Sequence, residues 1–302
     1  MKDRKNDPKS LAMMITSMLI FGSIGVVRRS IPLSSAFLAF ARGTLGGLFI
    51  LAFMRLRKGE PGQKPTAKQF LWLAVSGAVM GLNWILLFEA YSYTTVAVAT
   101  LCYYMEPTIV VLLSPLLFKE KLTAKKAVCA GIAIAGMVLV SGVASGADAR
   151  GGDFRGILLG LGAAALYATV VIMNKRISGI DAYRKTVIQL LSAGLVMVPY
   201  LLLTGGFGGG DFSGTTAALL LVAGIVHTGI AYLLYFGCMD GLRAQSIAIF
   251  SYVDPVAALL FSALFLREPL SGMGILGAVM IIGSAVLSEV QSSGEAAVTE
   301  QK

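Results

Sequence analysis

Five ionisable side chains interrupt apolar stretches of the sequence, and they are the groups in those stretches that can bind charged molecules or protons. They are Arg42, Glu89, Glu106, His227 and Asp254. Such a group inside a membrane helix costs roughly 2.5–3.5 kcal/mol on insertion scales, so it is retained where it has a function or a partner. Each of the five is therefore a candidate for binding a substrate or a coupling proton.

Two of the carboxylates, Glu106 and Asp254, stand directly before the prolines Pro107 and Pro255. Proline has no backbone N–H to donate, and it loosens the helical turn that precedes it. Loosened turns near the middle of the bilayer are where transporters build binding sites. We expect both carboxylates to line a substrate cavity and both prolines to break their helices. In the alternative interpretation, the carboxylates only hydrogen-bond neighbouring helices and support the packing.

Arg42 lies near the centre of its apolar stretch. A guanidinium can hold a substrate carboxylate through two parallel hydrogen bonds, as binding of an amino acid would require. The alternative is an internal ion pair with Glu106 or Glu89. The two roles are compatible if a pair opens to admit a zwitterion.

His227 is the single histidine of the chain. Imidazole titrates near neutral pH, which suits proton coupling, and Glu89 is the second candidate for that role. A neutral histidine that only hydrogen-bonds within the helix packing is the alternative. The three cysteines are scattered and lack ligand spacing, so we predict no metal site and no disulfide.

Aromatic residues accompany these charges along the sequence. Trp84 and Phe88 stand four residues apart and, with Tyr91, share one face of a helix. The predicted substrate-binding rings are Trp84, Phe88, Tyr104, Tyr232 and Tyr252. Beside two carboxylates, such rings can enclose an ammonium group. They are also common in helix packing and at the membrane surface, which is the alternative interpretation.

The segments that must position these residues are long and apolar. The 302-residue chain is 56% apolar and 14% charged, with a mean hydropathy of +0.79, whereas about a quarter of a soluble protein is charged. Ten segments of membrane-spanning length follow one another. They cover approximately residues 11–27, 34–54, 70–91, 96–118, 127–143, 154–173, 186–204, 216–239, 244–266 and 272–287. We predict an all-α, multi-pass protein of the cell (inner) membrane, in contact with the lipid bilayer.

The basic residues predict the orientation of these spans. Most lysines and arginines fall in every second connection, and these connections are cytoplasmic if the N-terminus is. Both termini are then predicted to be cytoplasmic. The net charge of +9 is accounted for by this asymmetry, so we predict no nucleic-acid partner.

The sequence also repeats itself. Shifting it by 148 residues aligns Tyr104 with Tyr252 and Glu120 with Glu268 without a gap between them. We predict two five-helix repeats, 11–143 and 154–290, joined by a glycine-rich linker at 144–153. Because five is an odd number, the second repeat enters the membrane from the opposite face. Such inverted repeats permit alternating access, in which a central site opens to one side and then to the other.

The repeated motif carries a family resemblance that covers nearly the whole chain. It reads YMEP at 104–107 followed by EKL at 120–122, and YVDP at 252–255 followed by EPL at 268–270. In these residues the chain resembles the EamA-type branch of the drug/metabolite transporter superfamily. The resemblance implies a ten-helix inverted-repeat fold and export of amino acids, other metabolites or drugs. The membrane-embedded carboxylate of the related small multidrug resistance proteins has no counterpart in spans 11–27 and 154–173.

The function expected from these features is secondary active transport. We expect export of amino acids or related small polar metabolites, with organic cations or drugs as the alternative substrates. A proton is the candidate coupling ion, and uniport is left open. The sequence contains no HExxH or GxSxG motif and no glycine-rich phosphate-binding motif, so we predict neither an enzyme, nor a cofactor, nor direct use of ATP. A homodimer is left open.

Overall fold

The computed structural model describes residues 7–57, 63–118, 123–140, 151–207, 212–242, 244–268 and 271–299. Throughout these residues the regular elements are helical. The α-helices are α1 Pro8–Gly22, α2 Ile24–Arg29, α3 Ser35–Leu56, α4 Ala67–Tyr93, α5 Val96–Tyr103, α6 Glu106–Phe118, α7 Ala124–Val140, α8 Gly151–Lys175, α9 Ala182–Leu203, α10 Gly214–Leu221, α11 Ala231–Cys238, α12 Ala244–Ser251, α13 Val253–Phe261 and α14 Gly272–Thr299.

Seven helical stretches in the described part of the chain are long and apolar enough to cross a bilayer. They are Pro8–Arg29, Ser35–Leu56, Ala67–Tyr93, Val96–Leu113, Phe154–Asn174, Ala182–Leu203 and Gly214–Cys238. Two shorter apolar stretches, Val253–Leu266 and Gly272–Leu287, follow. A multi-pass membrane protein is therefore confirmed. The number ten and the side on which the termini lie stay predictions, and residues 141–143 of the fifth expected span lie outside the described residues.

Polar caps determine where several of these helices begin. Thr66 and Gln69 form a reciprocal capping box at the start of α4, and Thr95 accepts from the backbone of Val98 at the start of α5. Such caps satisfy backbone donors that have no partner inside the helix. At α1 the cap is Asp7, and the hydrogen bond from the Ser10 hydroxyl is the main cause that lowers the pKa of this exposed carboxyl below its ordinary value.

Two helical stretches are interrupted at the acid-proline motifs. Between α5 and α6 the interruption is Tyr104–Met105, and between α12 and α13 it is Tyr252. Pro107 and Pro255 therefore lie in the first turns of α6 and α13. A proline costs no backbone hydrogen bond there, because the first N–H groups of a helix have no partner within it.

A wider helical turn separates α10 from α11. Residues Val222–Ile230 are π-helical, and a second π-helical segment, Ser262–Leu266, extends α13. π-Helical segments are rare and are frequent at functional sites. His227 and Thr228 both lie in the first of them.

Glycine permits the closest helix contacts. A Cβ atom at Gly43 of α3 would lie 2.6 Å from the Leu190 carbonyl oxygen and from the Gly194 nitrogen of α9. Small residues let helices approach to backbone contact in the membrane, where lipid gives little hydrophobic drive for association. The buried core lies mainly between α3, α4, α8 and α9, whereas large apolar side chains such as Leu56 and Leu203 are exposed on the outside, as expected for a surface that faces lipid.

Candidate functional site

Arg42 is buried in the centre of the helix bundle. Its side chain, on α3, is 5% exposed, and its Nε atom donates to the Thr228 hydroxyl oxygen at 3.0 Å. The guanidinium carbon lies 4.4 Å from the centre of the Trp84 ring and 5.3 Å from that of Phe88. The structure thus brings together three residues that the sequence singled out, and cation–π attraction compensates part of the desolvation of the charge.

The terminal nitrogens of Arg42 are not used in this packing. Among the residues that the structure describes, Arg42 forms no ion pair with Glu89 or Glu106, and Nη1 and Nη2 have no hydrogen-bond partner. A buried cation without a counter-ion is costly, so the bundle holds a charge that a bound anion would stabilise.

Glu89 has different partners. It accepts a hydrogen bond from the Ser35 hydroxyl at 2.9 Å, and Ser35 in turn accepts from Arg28 Nη2 at 3.2 Å. The two charges of Arg28 and Glu89 are therefore bridged by one hydroxyl. The arrangement explains why Glu89 does not compensate Arg42, and it gives Glu89 a fixed position close to a permanent cation.

The two acid-proline motifs meet through a hydrogen bond. The Tyr104 hydroxyl, at the interruption between α5 and α6, donates to Oδ2 of Asp254 in α13. Tyr103 packs against the ring of Tyr104 at a centroid distance of 6.0 Å and against Tyr167 of α8 at 5.5 Å. Glu106 interacts electrostatically with Tyr103 and Tyr167. These residues form a phenol-rich, acidic cluster.

Tyr232 and Tyr91 are near both ends of this charge arrangement. Each tyrosine interacts electrostatically with Arg42 and with Asp254. Tyr232 stacks on Phe236 at 5.8 Å. Tyr252, the remaining aromatic candidate, is partly buried and separates α12 from α13.

Sequence reasoning missed Tyr167 and Thr228. Tyr167 is the one tyrosine of α8, and Thr228 directly follows His227, but neither pattern distinguishes a site residue from a packing residue. Their roles come from neighbours that are remote in sequence: Tyr103 for Tyr167 and Arg42 for Thr228.

His227 is buried and has a hydrogen-bonding group at each ring nitrogen. Its Nε2 atom lies 2.9 Å from the Ser23 hydroxyl, and its Nδ1 atom lies 3.2 Å from the Val222 carbonyl oxygen. The same hydroxyl lies 2.9 Å from the carbonyl oxygen of Ile20. Ser23 has one proton to give, so it donates either to a neutral ring or to Ile20, and in the second case a doubly protonated ring can donate at both nitrogens. This arrangement can accommodate His227 with or without an extra proton.

A polar latch lies where α2 ends. Arg29 forms an ion pair of 2.9 Å with Glu268 and also donates to the Thr94 carbonyl oxygen at 3.0 Å. The other carboxylate oxygen of Glu268 accepts from the Val96 backbone N–H at 2.9 Å and from Ser262 at 2.8 Å. We call these five residues the Glu268 latch. They join α2, the start of α5 and the end of α13. Glu120, the counterpart of Glu268 in the first repeat, lies outside the described residues.

Comparisons with known proteins agree with this architecture. The EamA-like transporter family model matches residues 8–142 and again residues 154–289. The chain is 30% identical to the uncharacterized transporter YxxF of Bacillus subtilis, over 98% of this chain and 94% of that protein. It is also 30% identical to Protein PecM of Dickeya dadantii, over 72% of this chain and 73% of that protein.

A solved structure shows the same fold. One crystal structure superposes with a TM-score of 0.65 at 20% identity and covers 93% of this chain and 98% of its own. With the family model matched along nearly the whole sequence, the resemblance seen in the motifs at 104–107 and 252–255 is confirmed. The chain belongs to the EamA-like transporter family.

Proposed function

We propose that the protein is a secondary active transporter of the cell (inner) membrane that exports amino acids or related small polar metabolites by alternating access. The observation that carries the proposal is the buried Arg42, whose terminal nitrogens have no partner among the described residues. A carboxylate placed there would supply the missing counter-ion and accept two parallel hydrogen bonds.

The ammonium group of a zwitterionic substrate could bind at the acidic cluster. Asp254 and Glu106 lie among the tyrosines of the acidic cluster, and Tyr232 interacts with both Arg42 and Asp254. An α-amino acid carries both charges, so Arg42 would bind its carboxylate and the carboxylates of the acidic cluster would attract its ammonium group. Phenol rings beside carboxylates are favourable neighbours for the ammonium group.

Organic cations are the second candidate. The acidic cluster by itself, with Asp254, Glu106, Tyr103 and Tyr167, has the chemistry to bind an amine. Against a quaternary-ammonium cage at Trp84 and Phe88 stands the guanidinium of Arg42, which already lies over both rings. A cationic substrate would have to bind beside this fixed positive charge.

Alternating access is supported by the way the helices pair. The contacts of α4 with α8 have a counterpart in those of α11 with α1, and the contacts of α5 and α6 with α8 have one in those of α12 and α13 with α1. Such paired contacts are what exchange of two equivalent, inverted halves would produce. We therefore propose two inverted repeats, 11–143 and 154–290, with both termini cytoplasmic and a homodimer left open.

We assign the coupling proton to His227 rather than to Glu89. His227 has hydrogen-bonding partners that suit either protonation state, whereas Glu89 is held near Arg28 through Ser35. Export driven by an inward proton gradient is an exchange, so His227 would carry the proton inward after the substrate has left the protein on the other side.

Transport into proteoliposomes tests the substrate class. The purified protein is given the full set of radiolabelled proteinogenic amino acids, the amines that lack their carboxylates, and tetraethylammonium, with and without a pH gradient. We expect saturable transport of at least one amino acid. Arg42→Gln should reduce its transport by at least about tenfold, because a hydrogen bond to a charged group is worth about 1.5–3 kcal/mol.

Arg55→Gln is the matched control for Arg42→Gln. Arg55 lies in the last turn of the same helix and is exposed, so the same chemical change should leave transport unchanged. Normal amino-acid transport by Arg42→Gln, or transport of amines alone by the unmodified protein, would overturn the amino-acid assignment and favour organic cations.

A further inference from the structure

Thr228 is the residue that fixes the side chain of Arg42. Its hydroxyl oxygen accepts from Arg42 Nε at 3.0 Å and donates to the Ala223 carbonyl oxygen at 2.9 Å. A threonine hydroxyl has one proton, so donation to Ala223 leaves a lone pair directed to Arg42. Thr228 is fully buried, and water does not compete for either bond.

The π-helical segment and a glycine hold Thr228 in this position. Ala223 lies five residues before Thr228, at the i→i+5 spacing of a π-helix. On the opposite side is Gly46, one turn after Arg42 on the same face of α3. A Cβ atom at Gly46 would lie 2.5 Å from the Thr228 Cγ2 methyl group. Only glycine allows α3 to approach this closely.

The fixed guanidinium has one way left to bind an anion. Its Nε is engaged by Thr228, and its central carbon lies over the rings of Trp84 and Phe88. A carboxylate cannot bind side-on through Nε and one terminal nitrogen. Nη1 and Nη2 are the two donors that remain, and they point in the same direction at the end of the planar group.

We infer that Thr228 is a positioning residue for substrate selection: by engaging Nε, it presents Arg42 end-on to a carboxylate, which binds to Nη1 and Nη2. This inference rests on the proposed function, in which Arg42 binds the carboxylate of the substrate. It adds that recognition of the carboxylate depends on a hydroxyl that does not touch the substrate. Amines without a carboxylate gain nothing from this geometry.

The test compares variants of Thr228 in proteoliposomes. The probes are the amino acid that the unmodified protein transports best and the amine that lacks its carboxylate. Thr228→Val keeps the side-chain shape and loses the hydroxyl. We expect the KM for the amino acid to rise about tenfold, as for loss of a hydrogen bond to a charged group, with the maximal rate within about twofold and the KM for the amine unchanged.

Two further variants separate positioning from packing. Thr228→Ser keeps the hydroxyl and should restore the KM, although it loses the methyl group. Thr169→Val removes a hydroxyl that bonds only the carbonyl oxygen of Ala165 on an exposed face of α8, and it should change nothing. If Thr228→Val does not reach the membrane, Thr228→Cys replaces the oxygen acceptor by sulfur, a weak acceptor, and should raise the KM in the same way.

The outcomes distinguish this inference from the proposed function. If Arg42→Gln loses amino-acid transport while Thr228→Val transports the amino acid normally, the inference alone is overturned. Normal transport by Arg42→Gln would overturn the proposed function, and the inference with it. Equal losses for amino acid and amine in Thr228→Val, without rescue by Thr228→Ser, would assign Thr228 to packing.

Discussion

Single side chains decide how charge is placed in this bundle. Arg42 is compensated by two rings and a hydroxyl rather than by a carboxylate, and Asp254 is compensated by the Tyr104 hydroxyl. Among the residues that the structure describes, each charge therefore keeps part of its hydrogen-bonding capacity unused. A transporter needs this arrangement, because an ion pair closed within the protein would compete with the substrate.

Substitution of Asp254 tests whether the acidic cluster binds the substrate. Asp254→Asn removes the charge that would attract the ammonium group of a substrate and keeps an acceptor for Tyr104. We expect the KM for an amine-bearing substrate to rise at least about tenfold, as for a lost charged hydrogen bond, in the same flux assay. Tyr104→Phe should have a smaller effect, since it leaves the carboxylate in place.

Tyr200→Phe is the control for the loss of a phenol hydroxyl, because Tyr200 is 52% exposed on α9. It should transport normally. An unchanged KM in Asp254→Asn would assign Asp254 to helix packing, the alternative that the sequence left open.

Several helices of this protein are irregular next to the candidate site. The interruptions at Tyr104–Met105 and Tyr252 and the π-helical turn at Val222–Ile230 all lie beside candidate site residues. Regular helices satisfy all their backbone groups internally, whereas a break or a wide turn in a membrane is tolerated where protein or a cavity surrounds it. The helices α3, α4 and α9 pack tightly on each other, and α3 also packs on the π-helical segment Val222–Ile230.

Alanine at Gly43 tests this close packing. The added Cβ atom would lie 2.6 Å from backbone atoms of Leu190 and Gly194, which cannot move without separating α3 from α9. Overpacking of this kind costs about 1–3 kcal/mol, so we expect a lower Tm for Gly43→Ala in detergent.

Gly131→Ala is the matched control, because nothing lies within 4 Å of its added Cβ atom on α7. Alanine is the better helix former by about 1 kcal/mol, so Gly131→Ala should keep or raise the Tm. If the Tm of Gly43→Ala is equal to or above that of the unmodified protein, α3 and α9 can move apart at little cost in stability.

For the whole molecule, the Glu268 latch is the feature that bears on alternating access. It ties α2, the start of α5 and the end of α13 through Arg29, Thr94, Val96, Ser262 and Glu268. The proposed topology, with both termini cytoplasmic, puts this end on the non-cytoplasmic side. If the central site is to open there, these bonds must break in each transport cycle.

Glu268→Gln tests the latch. The variant loses the ion pair with Arg29, so we expect the population open at this end to increase. A cysteine at Tyr167, with the three native cysteines replaced, reports this opening to a membrane-impermeant maleimide added from outside. The labelling rate should rise about twofold to fivefold, since a partly exposed ion pair contributes roughly 0.5–1 kcal/mol.

Arg155→Gln is the control for the latch experiment, because it removes another exposed charge that contacts Tyr93 rather than Glu268. Its labelling rate should equal that of the parent protein. Equal rates in Glu268→Gln and in this control would mean that the latch does not limit opening.

The sequence by itself determined the membrane class, the family and the candidate charges. Lipid requires long apolar segments whose backbone groups are satisfied internally, and this requirement leaves a visible hydropathy pattern. The motifs at 104–107 and 252–255 are local in sequence, so they carried the family resemblance without any knowledge of packing.

Only the tertiary structure decided the partners of the charges. Arg42 meets Thr228, which is 186 residues away in sequence, and Glu89 meets Ser35 rather than Arg42. Tyr167 joins the acidic cluster through Tyr103. Each of these contacts depends on how helices cross and rotate against one another, and that is set by close packing at residues such as Gly43 and Gly46 rather than by any pattern within one helix.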